Sequence, residues 1–178
     1  RMKRLFVPFM LVALLVTLLP VGVLAGNGLP EVPDDAVWYK LIAAQSDYVG
    51  QVAVWHDGTN IHVRYKTFPD FCLDEVHTHV ATSLEGIPQK NGNPRPGHFA
   101  AKDDGLGCVP RWEHIIPFAW DGSQQLYVAA HAVVVGNGWD YEETGWGVIC
   151  GKIDQFGFEG RNWAAYILFP EPLPTRPQ

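Results

Sequence analysis

The most regular alternation of hydrophobic and polar positions lies in residues 52–65. Ile61, Val63 and Tyr65 take every second position and polar side chains stand between them, which is the period of a strand with one buried face. An Asp-Gly pair precedes this run, and Gly58 can adopt the positive φ that a tight turn requires. A second apolar run lies on the other side of the pair. The pattern therefore predicts a β-hairpin.

Other short apolar runs are separated by glycine and proline, and no long segment has the period of a helix. Such a chain predicts an all-β fold, and we expect a single antiparallel β-sandwich of the jelly-roll or immunoglobulin-like type over residues 36–169. Residues 83–107 are rich in Gly, Pro and Asn, which indicates either a functional loop or a surface loop stiffened by its prolines. The predicted strands are 36–44 (or a short helix), 72–82, 112–120, 125–135 and 162–169.

The two ends of the chain differ in composition from this domain. Residues 1–25 begin with basic residues, continue with an apolar run and end in Ala25, which is the pattern of a cleaved signal peptide. The alternative is an uncleaved membrane anchor, because about 20 apolar residues can span a bilayer. Residues 26–35 predict a flexible N-terminal segment, and residues 170–178 predict a proline-rich tail. We expect a secreted or cell-surface protein with no membrane segment after cleavage.

The charge of the chain limits its partners. Removal of residues 1–25 takes away three of the thirteen basic residues and leaves nineteen acidic ones, so the net charge becomes −9 with neutral histidines. An acidic surface repels phosphate groups, and nucleic acid is therefore not an expected partner. The same charge favours solubility outside the cell.

The three cysteines that follow the predicted signal peptide are Cys72, Cys108 and Cys150, and they allow one internal disulfide and one free thiol. Their spacing does not choose among the three pairings. We expect Cys72 in the bridge, with Cys108 or Cys150 as its partner, because Cys72 opens a predicted strand that carries histidines. None of the spacings is that of a zinc knuckle or a redox pair.

Motifs of the common enzyme classes are absent from the chain. It has no nucleophile elbow, no phosphate-binding glycine loop, no dinucleotide fingerprint and no His-Glu-x-x-His zinc motif. Adjacent acidic pairs such as Asp103-Asp104 and Glu142-Glu143 stand in turn-like sequence, which predicts solvated carboxylates. We therefore predict a protein that is not an enzyme and requires no cofactor.

The histidines form the most distinctive chemical pattern. Glu75, His77 and His79 occupy alternate positions of a predicted strand, so their side chains share one face. His131 interrupts a strongly apolar strand, where a buried imidazole needs a partner. We predict that His77 and His131 share a site that His79, Glu75 or Glu143 completes. It is either a carboxylate–histidine network or a Zn²⁺ or Cu²⁺ site, unless His77 and His79 are exposed strand residues.

These features favour a secreted structural or interaction module of a cell surface, a matrix or an extracellular filament. An open sandwich has edge strands whose unpaired N–H and C=O groups can accept a strand from another chain. The expected partners are copies of the chain itself or other surface proteins. One alternative is a carbohydrate-binding module, since seven tryptophans offer rings that can stack on glycans. The other is an extracellular metal-binding protein.

Overall fold

The computed structural model describes residues 28–138, 140–149 and 155–170. The predicted signal peptide, Cys150 and all but the first residue of the predicted proline-rich tail lie outside these ranges. No helix within them is long and apolar enough to cross a membrane.

Strands build the fold, and the all-β prediction is confirmed. Helical structure in the described ranges is limited to two single 3-10 turns, at Leu84–Gly86 and Pro96–His98. The strands in chain order are β1 (Val37–Ala43), β2 (Asp47–His56), β3 (Asn60–Thr67), β4 (Phe71–Ala81), β5 (Gln89–Lys90), β6 (Asn93–Pro94), β7 (Ala101–Asp103), β8 (Arg111–Pro117), β9 (Leu126–Gly136), β10 (Glu142–Val148) and β11 (Ile167–Phe169).

The predicted hairpin is confirmed as the pair β2 and β3, which run antiparallel. Gly58 has a φ of 96° in the turn, which a residue with a side chain rarely adopts. The Asp57 carboxylate accepts hydrogen bonds from the backbone N–H groups of Thr59 (2.8 Å) and Asn60 (2.7 Å). The turn is thus closed by the side chain that begins it.

The expected two-sheet sandwich is not confirmed. Nine strands form one antiparallel sheet in the order β7-β4-β9-β10-β1-β2-β3-β8, and β11 pairs with β9. The sheet coils until β3 and β8 approach β4, where the Tyr65 hydroxyl and the His114 imidazole both bond to Thr78. A twisted sheet of this size buries its apolar face by curling on itself, so the result is a nearly closed barrel rather than two stacked layers.

The interior of the barrel is filled by the apolar face that the alternation predicts. Fully buried side chains there include Leu41, Val52, Val63 and Leu126. Strand β9, which the sequence predicts over residues 125–135, lies between β4 on one side and β10 and β11 on the other, so it is a central strand of the sheet.

Part of the long connection packs on the outside of the barrel. Ile87 and Phe99 of this connection are buried against Ala129 of β9 and Trp146 of β10, together with Phe158. We call residues 83–100 the covering segment. A surface loop stiffened by prolines does not describe it, because its apolar side chains build a second hydrophobic cluster.

The disulfide predicted for Cys72 is present, and its partner is Cys108. The bond joins the start of β4 to the segment that leads into β8. Next to it, Leu73 and Val109 exchange backbone hydrogen bonds of 2.8 and 3.1 Å. The connection between β7 and β8 is therefore held against β4 by a covalent bond and by backbone pairing.

Strand β10 corrects the expectation that Glu142 and Glu143 stand in a turn. Gly147 of this strand is required by close packing. A Cβ on Gly147 would lie 2.8 Å from Ile167 Cδ1 and 3.1 Å from Ala130 Cβ, both inside the barrel. Glycine here allows strands to approach, which local sequence does not distinguish from a turn.

Candidate functional site

The face of β4 that carries Glu75, His77 and His79 is the outer face of the barrel. The alternating residues Val76 and Thr78 are fully buried toward the interior. All three predicted site residues of β4 therefore share one face, and that face points away from the barrel core. The histidines of β4 are nevertheless partly or fully covered by the segments that pack outside it.

The structure brings His77 and His131 together. They lie directly opposite each other on β4 and β9, and both are buried. Their rings stack with centroids 5.4 Å apart and planes 15° apart, and Trp146 packs against His131 at a centroid distance of 4.8 Å. Burial, and next the charge of His77, lower the pKa of His131 to about 3. The His131 ring is therefore neutral at physiological pH.

Asp104 contacts His77, with 2.6 Å between its Oδ1 and His77 Nε2. Glu75 completes the group, because one potential ligand atom from each of the three side chains lies within 4.8 Å of the others. The His77 side chain is 8% exposed and that of Asp104 is 68% exposed, so the group extends from the barrel wall to solvent. We call Glu75, His77 and Asp104 the His77 cluster.

The predicted carboxylate–histidine network is present only in part. The His77–Asp104 hydrogen bond is made, but Nδ1 of His77 and Nδ1 of His131 are buried without a hydrogen-bond partner among the described residues. A buried imidazole nitrogen without a partner costs about 1–3 kcal/mol. This pair is thus less fully satisfied than a purely structural network requires.

The remaining predicted residues do not join the His77 cluster. The Nδ1 atom of His79 accepts a hydrogen bond of 3.1 Å from the Ala100 N–H, so this side chain holds the covering segment. Burial lowers the pKa of His79. Glu143 pairs with Val134 on β9 and is exposed. Trp146 shares the face of His131. Glu143 lies three residues earlier in β10, so its side chain belongs to the opposite face.

Asp104 was missed from the sequence because its acidic pair resembles a solvated turn. Strand β7 places it, since Asp103 pairs with Val76 and Lys102 pairs with His77. The only sequence signal is an acidic pair 27 residues beyond His77, and a strand of three residues has no local signature of its pairing.

A second candidate region is a cleft of about 910 Å³, which we call the β8 cleft. Residues 29–35 of the N-terminal segment form one side, and side chains of β2 and β3 form another. Residues 112–115, four in a row on β8, also line it. Because successive strand residues point to opposite faces, a cavity that meets four consecutive residues runs along the edge of the strand.

The edge of β8 that faces this cleft is the end of the sheet. In the described part of the chain β8 pairs only with β3, and β7 ends the sheet on the other side. Asp103 of β7 bridges the gap by accepting hydrogen bonds from Trp112 Nε1 (3.0 Å) and His114 Nε2 (2.9 Å). Side chains therefore close the barrel where a backbone ladder is missing.

On the interior side of the contact between β7 and β8, a neutral histidine satisfies the hydrogen-bonding groups. Burial lowers the pKa of His114, and the bond to Asp103 only partly offsets that effect. A neutral His114 donates from Nε2 to Asp103 and accepts at Nδ1 from the Thr78 hydroxyl, 2.7 Å away. The Tyr65 hydroxyl donates to Thr78 in turn, at 2.6 Å.

One wall of the β8 cleft is a network of charged side chains. His62 Nδ1 lies 2.7 Å from Glu113 Oε1, and His62 Nε2 lies 2.9 Å from Asp57 Oδ2. Arg64 bonds to Glu113 Oε2 through Nε at 2.6 Å and through Nη2. Hydrogen bonds from the Asn60 side chain and from His62 hold the pKa of Asp57 well below its ordinary value. Both nitrogens of His62 are thus engaged by carboxylates.

The chain was compared with protein-family models, curated proteins and solved structures, and none of the three comparisons finds a match.

Proposed function

We propose that this chain is a secreted, non-enzymatic interaction module that binds an extended segment of another surface protein in the β8 cleft. The observation that carries the proposal is the edge of β8, which has no second strand partner in the described ranges and opens into a cleft of about 910 Å³. Unpaired N–H and C=O groups along a strand edge match the spacing of an added strand. The signal-peptide pattern and the Cys72–Cys108 disulfide support a location outside the cytoplasm.

Apolar side chains in the cleft support a peptide ligand. Ile115 is 57% exposed although it is a large aliphatic residue, and Leu29, Pro33 and Trp112 line the same space. An added strand presents alternate side chains to each face, and apolar ones among them would cover Ile115.

The charges of the cleft favour a basic segment. Arg64 and Glu113 neutralise each other, and no other Arg or Lys is among the described residues that line the cleft. A negative cleft favours lysine and arginine side chains and disfavours acidic ligands. The remaining carboxylates of the lining are Glu31, Asp35, Asp57 and Asp103.

The test is titration of the oxidised, signal-free chain with three capped heptapeptides. Calorimetry and tryptophan fluorescence measure the binding. One peptide alternates valine and lysine, the second alternates valine and glutamate, and the third is the first with alternate backbone nitrogens methylated. We expect the lysine peptide to bind at least about tenfold more tightly than the glutamate peptide, because of charge. Methylation should abolish binding, because it removes the main-chain donors.

A pair of variants locates the binding. Ile115→Arg places a bulky cation in the cleft from an exposed position and should abolish binding of the lysine peptide. Trp38→Arg is the matched control, since Trp38 is also an exposed large side chain, at 43% against 57% for Ile115, and lies outside the cleft lining. Equal binding of all three peptides, or loss of binding in both variants, would show that the edge of β8 is not the docking site.

Two other partners that the sequence suggests, glycans and copies of the chain itself, are tested with the same variants. A glycan ligand needs exposed aromatic faces, whereas Trp55 is buried, with His62 stacked on its ring at 4.6 Å and Arg64 over it at 5.2 Å. Binding of neutral oligosaccharides that Ile115→Arg removes, without any peptide binding, would replace our proposal by the carbohydrate one. Concentration-dependent light scattering that the same variant removes would identify a second copy as the partner.

A further inference from the structure

We infer that the His77 cluster binds one divalent metal ion, Zn²⁺ in particular, with Glu75, His77 and Asp104 as its protein ligands. The inference does not depend on the interaction proposed for the β8 cleft. It differs from the sequence prediction in its ligands, because Asp104 enters the set and His79, His131 and Glu143 leave it.

The charge of the His77 cluster favours a divalent cation. Glu75 and Asp104 hold two carboxylates within 4.8 Å of a common imidazole, and no Lys or Arg in the described ranges forms an ion pair with either. The neighbouring Lys102 donates instead to the Gly97 carbonyl, at 2.9 Å. Two carboxylates carry the charge that a divalent cation neutralises, and an imidazole binds a metal in its neutral form.

The ligands are held in position by backbone pairing and by the disulfide rather than by bonds of their own side chains. The pairing of β7 with β4 fixes Asp103 opposite Val76, and the Leu106 N–H donates to the Asp74 carbonyl at 2.8 Å. The disulfide to Cys108 holds the same segment a few residues later. Asp104 is therefore kept beside Glu75 although its own side chain is exposed, and little ordering remains to be done on binding.

The donor atoms favour zinc over the other common ions. Calcium takes six to eight oxygen ligands, whereas this cluster offers a buried imidazole and two carboxylates. Zinc accepts imidazole and carboxylate together in tetrahedral geometry. Three protein ligands leave a fourth position, which faces the solvent on the side of the exposed Asp104.

His131 acts as a positioning residue for this ion. An imidazole binds a metal through a nitrogen lone pair in the plane of its own ring, and the rings of His77 and His131 are stacked, with planes 15° apart. One ion cannot lie in both planes without rotation of a ring. His131 instead packs against the His77 ring and limits its orientation.

The experiment is calorimetric titration of the oxidised, signal-free chain with ZnCl₂, together with elemental analysis after gel filtration. We expect one zinc ion per chain. Asp104→Asn should lower the affinity at least about tenfold, because it removes a charged ligand, and its exposure means that the fold survives. Asp34→Asn, an exposed acid in the N-terminal segment, and His98→Gln, an exposed surface histidine, are the matched controls and should bind zinc unchanged.

X-ray absorption at the zinc edge gives a readout independent of affinity. We expect one imidazole and otherwise oxygen ligands in the native chain, and loss of the imidazole signal in His77→Gln. No stoichiometric zinc, a spectrum with two imidazoles, or Asp104→Asn binding as the native chain binds would overturn the inference. If His77→Gln does not fold, the Asp104→Asn titration still decides.

Discussion

His62 and His77 are both strand histidines that lie between carboxylates, yet their bonding differs. Both nitrogens of His62 are engaged, by Glu113 at 2.7 Å and by Asp57 at 2.9 Å. His77 bonds to Asp104 through Nε2, and its Nδ1 has no partner in the described part of the chain. The same residue types therefore build one network in which both imidazole nitrogens are bonded and one in which only Nε2 is bonded.

The difference extends to the surrounding charges. Glu113 is neutralised by Arg64, and both side chains are almost fully buried, at 5% and 6% exposure. The carboxylate of Asp104 is exposed, and among the described residues its only ionic partner is an imidazole. A saturated, neutralised group stabilises a fold, whereas an unsaturated and negative group at the surface is suited to bind a cation. Bonding of the imidazole nitrogens and neutralisation of the carboxylates therefore distinguish the two groups better than residue type does.

The largest effect that tests this comparison should come from Arg64→Met. The variant keeps an unbranched apolar side chain but leaves Glu113 as a buried carboxylate without its cation. Loss of one partner of a buried ion pair costs about 3–5 kcal/mol, which urea denaturation should detect as a lower free energy of unfolding. Lys66→Met, on the same strand but exposed, is the control and should change it little. A loss below about 1 kcal/mol for Arg64→Met would mean that the His62 network is not a structural clamp.

A smaller effect should appear in the pH dependence of stability, through His114. Burial lowers its pKa below the ordinary value of 6.5. As the pH falls below 6.5 the unfolded chain binds a proton that the folded chain does not, so the free energy of unfolding decreases with falling pH. In His114→Asn this decrease should be shallower between pH 6.5 and 5.

The groups around His114 define the control for that measurement. Asp103 faces it from β7, Thr78 from β4 and Tyr65 from β3, and the charge of His77 on β4 also acts on its pKa. All of them remain in His114→Asn, so the difference in slope between this variant and the native chain belongs to His114. His98→Asn, an exposed histidine, should leave the slope unchanged. An identical slope in His114→Asn would show that His114 takes up its proton at the same pH in the folded and the unfolded chain, so that burial does not lower its pKa.

Most of the strands were predictable because their signals are local. The hairpin of β2 and β3 follows from alternation and from an Asp-Gly turn, and both are properties of a few adjacent residues. The closure of the sheet was not predictable, because it depends on accumulated twist and on contacts such as His114 with Thr78, 36 residues apart. Strand β10 is absent from the predicted strands, and its Gly147 serves close packing.

The candidate site was likewise predictable only in part. His77 and His131 were paired from the sequence because each stands out on its own strand, and the register of β4 with β9 places them opposite each other. Asp104 was not predictable, since its position depends on the three-residue strand β7. The saturated network of His62, Glu113 and Arg64 also went unnoticed, because these side chains alternate with core residues as solvated ones do.

The smallest expected effect is the most direct test of the comparison. Without added metal, Asp104→Asn should change the free energy of unfolding by less than about 0.5 kcal/mol, because the side chain is 68% exposed and an asparagine oxygen still accepts from His77. The equivalent change in the saturated network, Glu113→Gln, should cost about 1.5–3 kcal/mol, because the charged bonds of Arg64 are weakened in a buried place. Urea denaturation of both variants, after treatment with a chelator, measures the difference. Equal losses would mean that the His77 cluster is a structural network like that of His62. This is the carboxylate–histidine network that the sequence allowed as the alternative to a metal site.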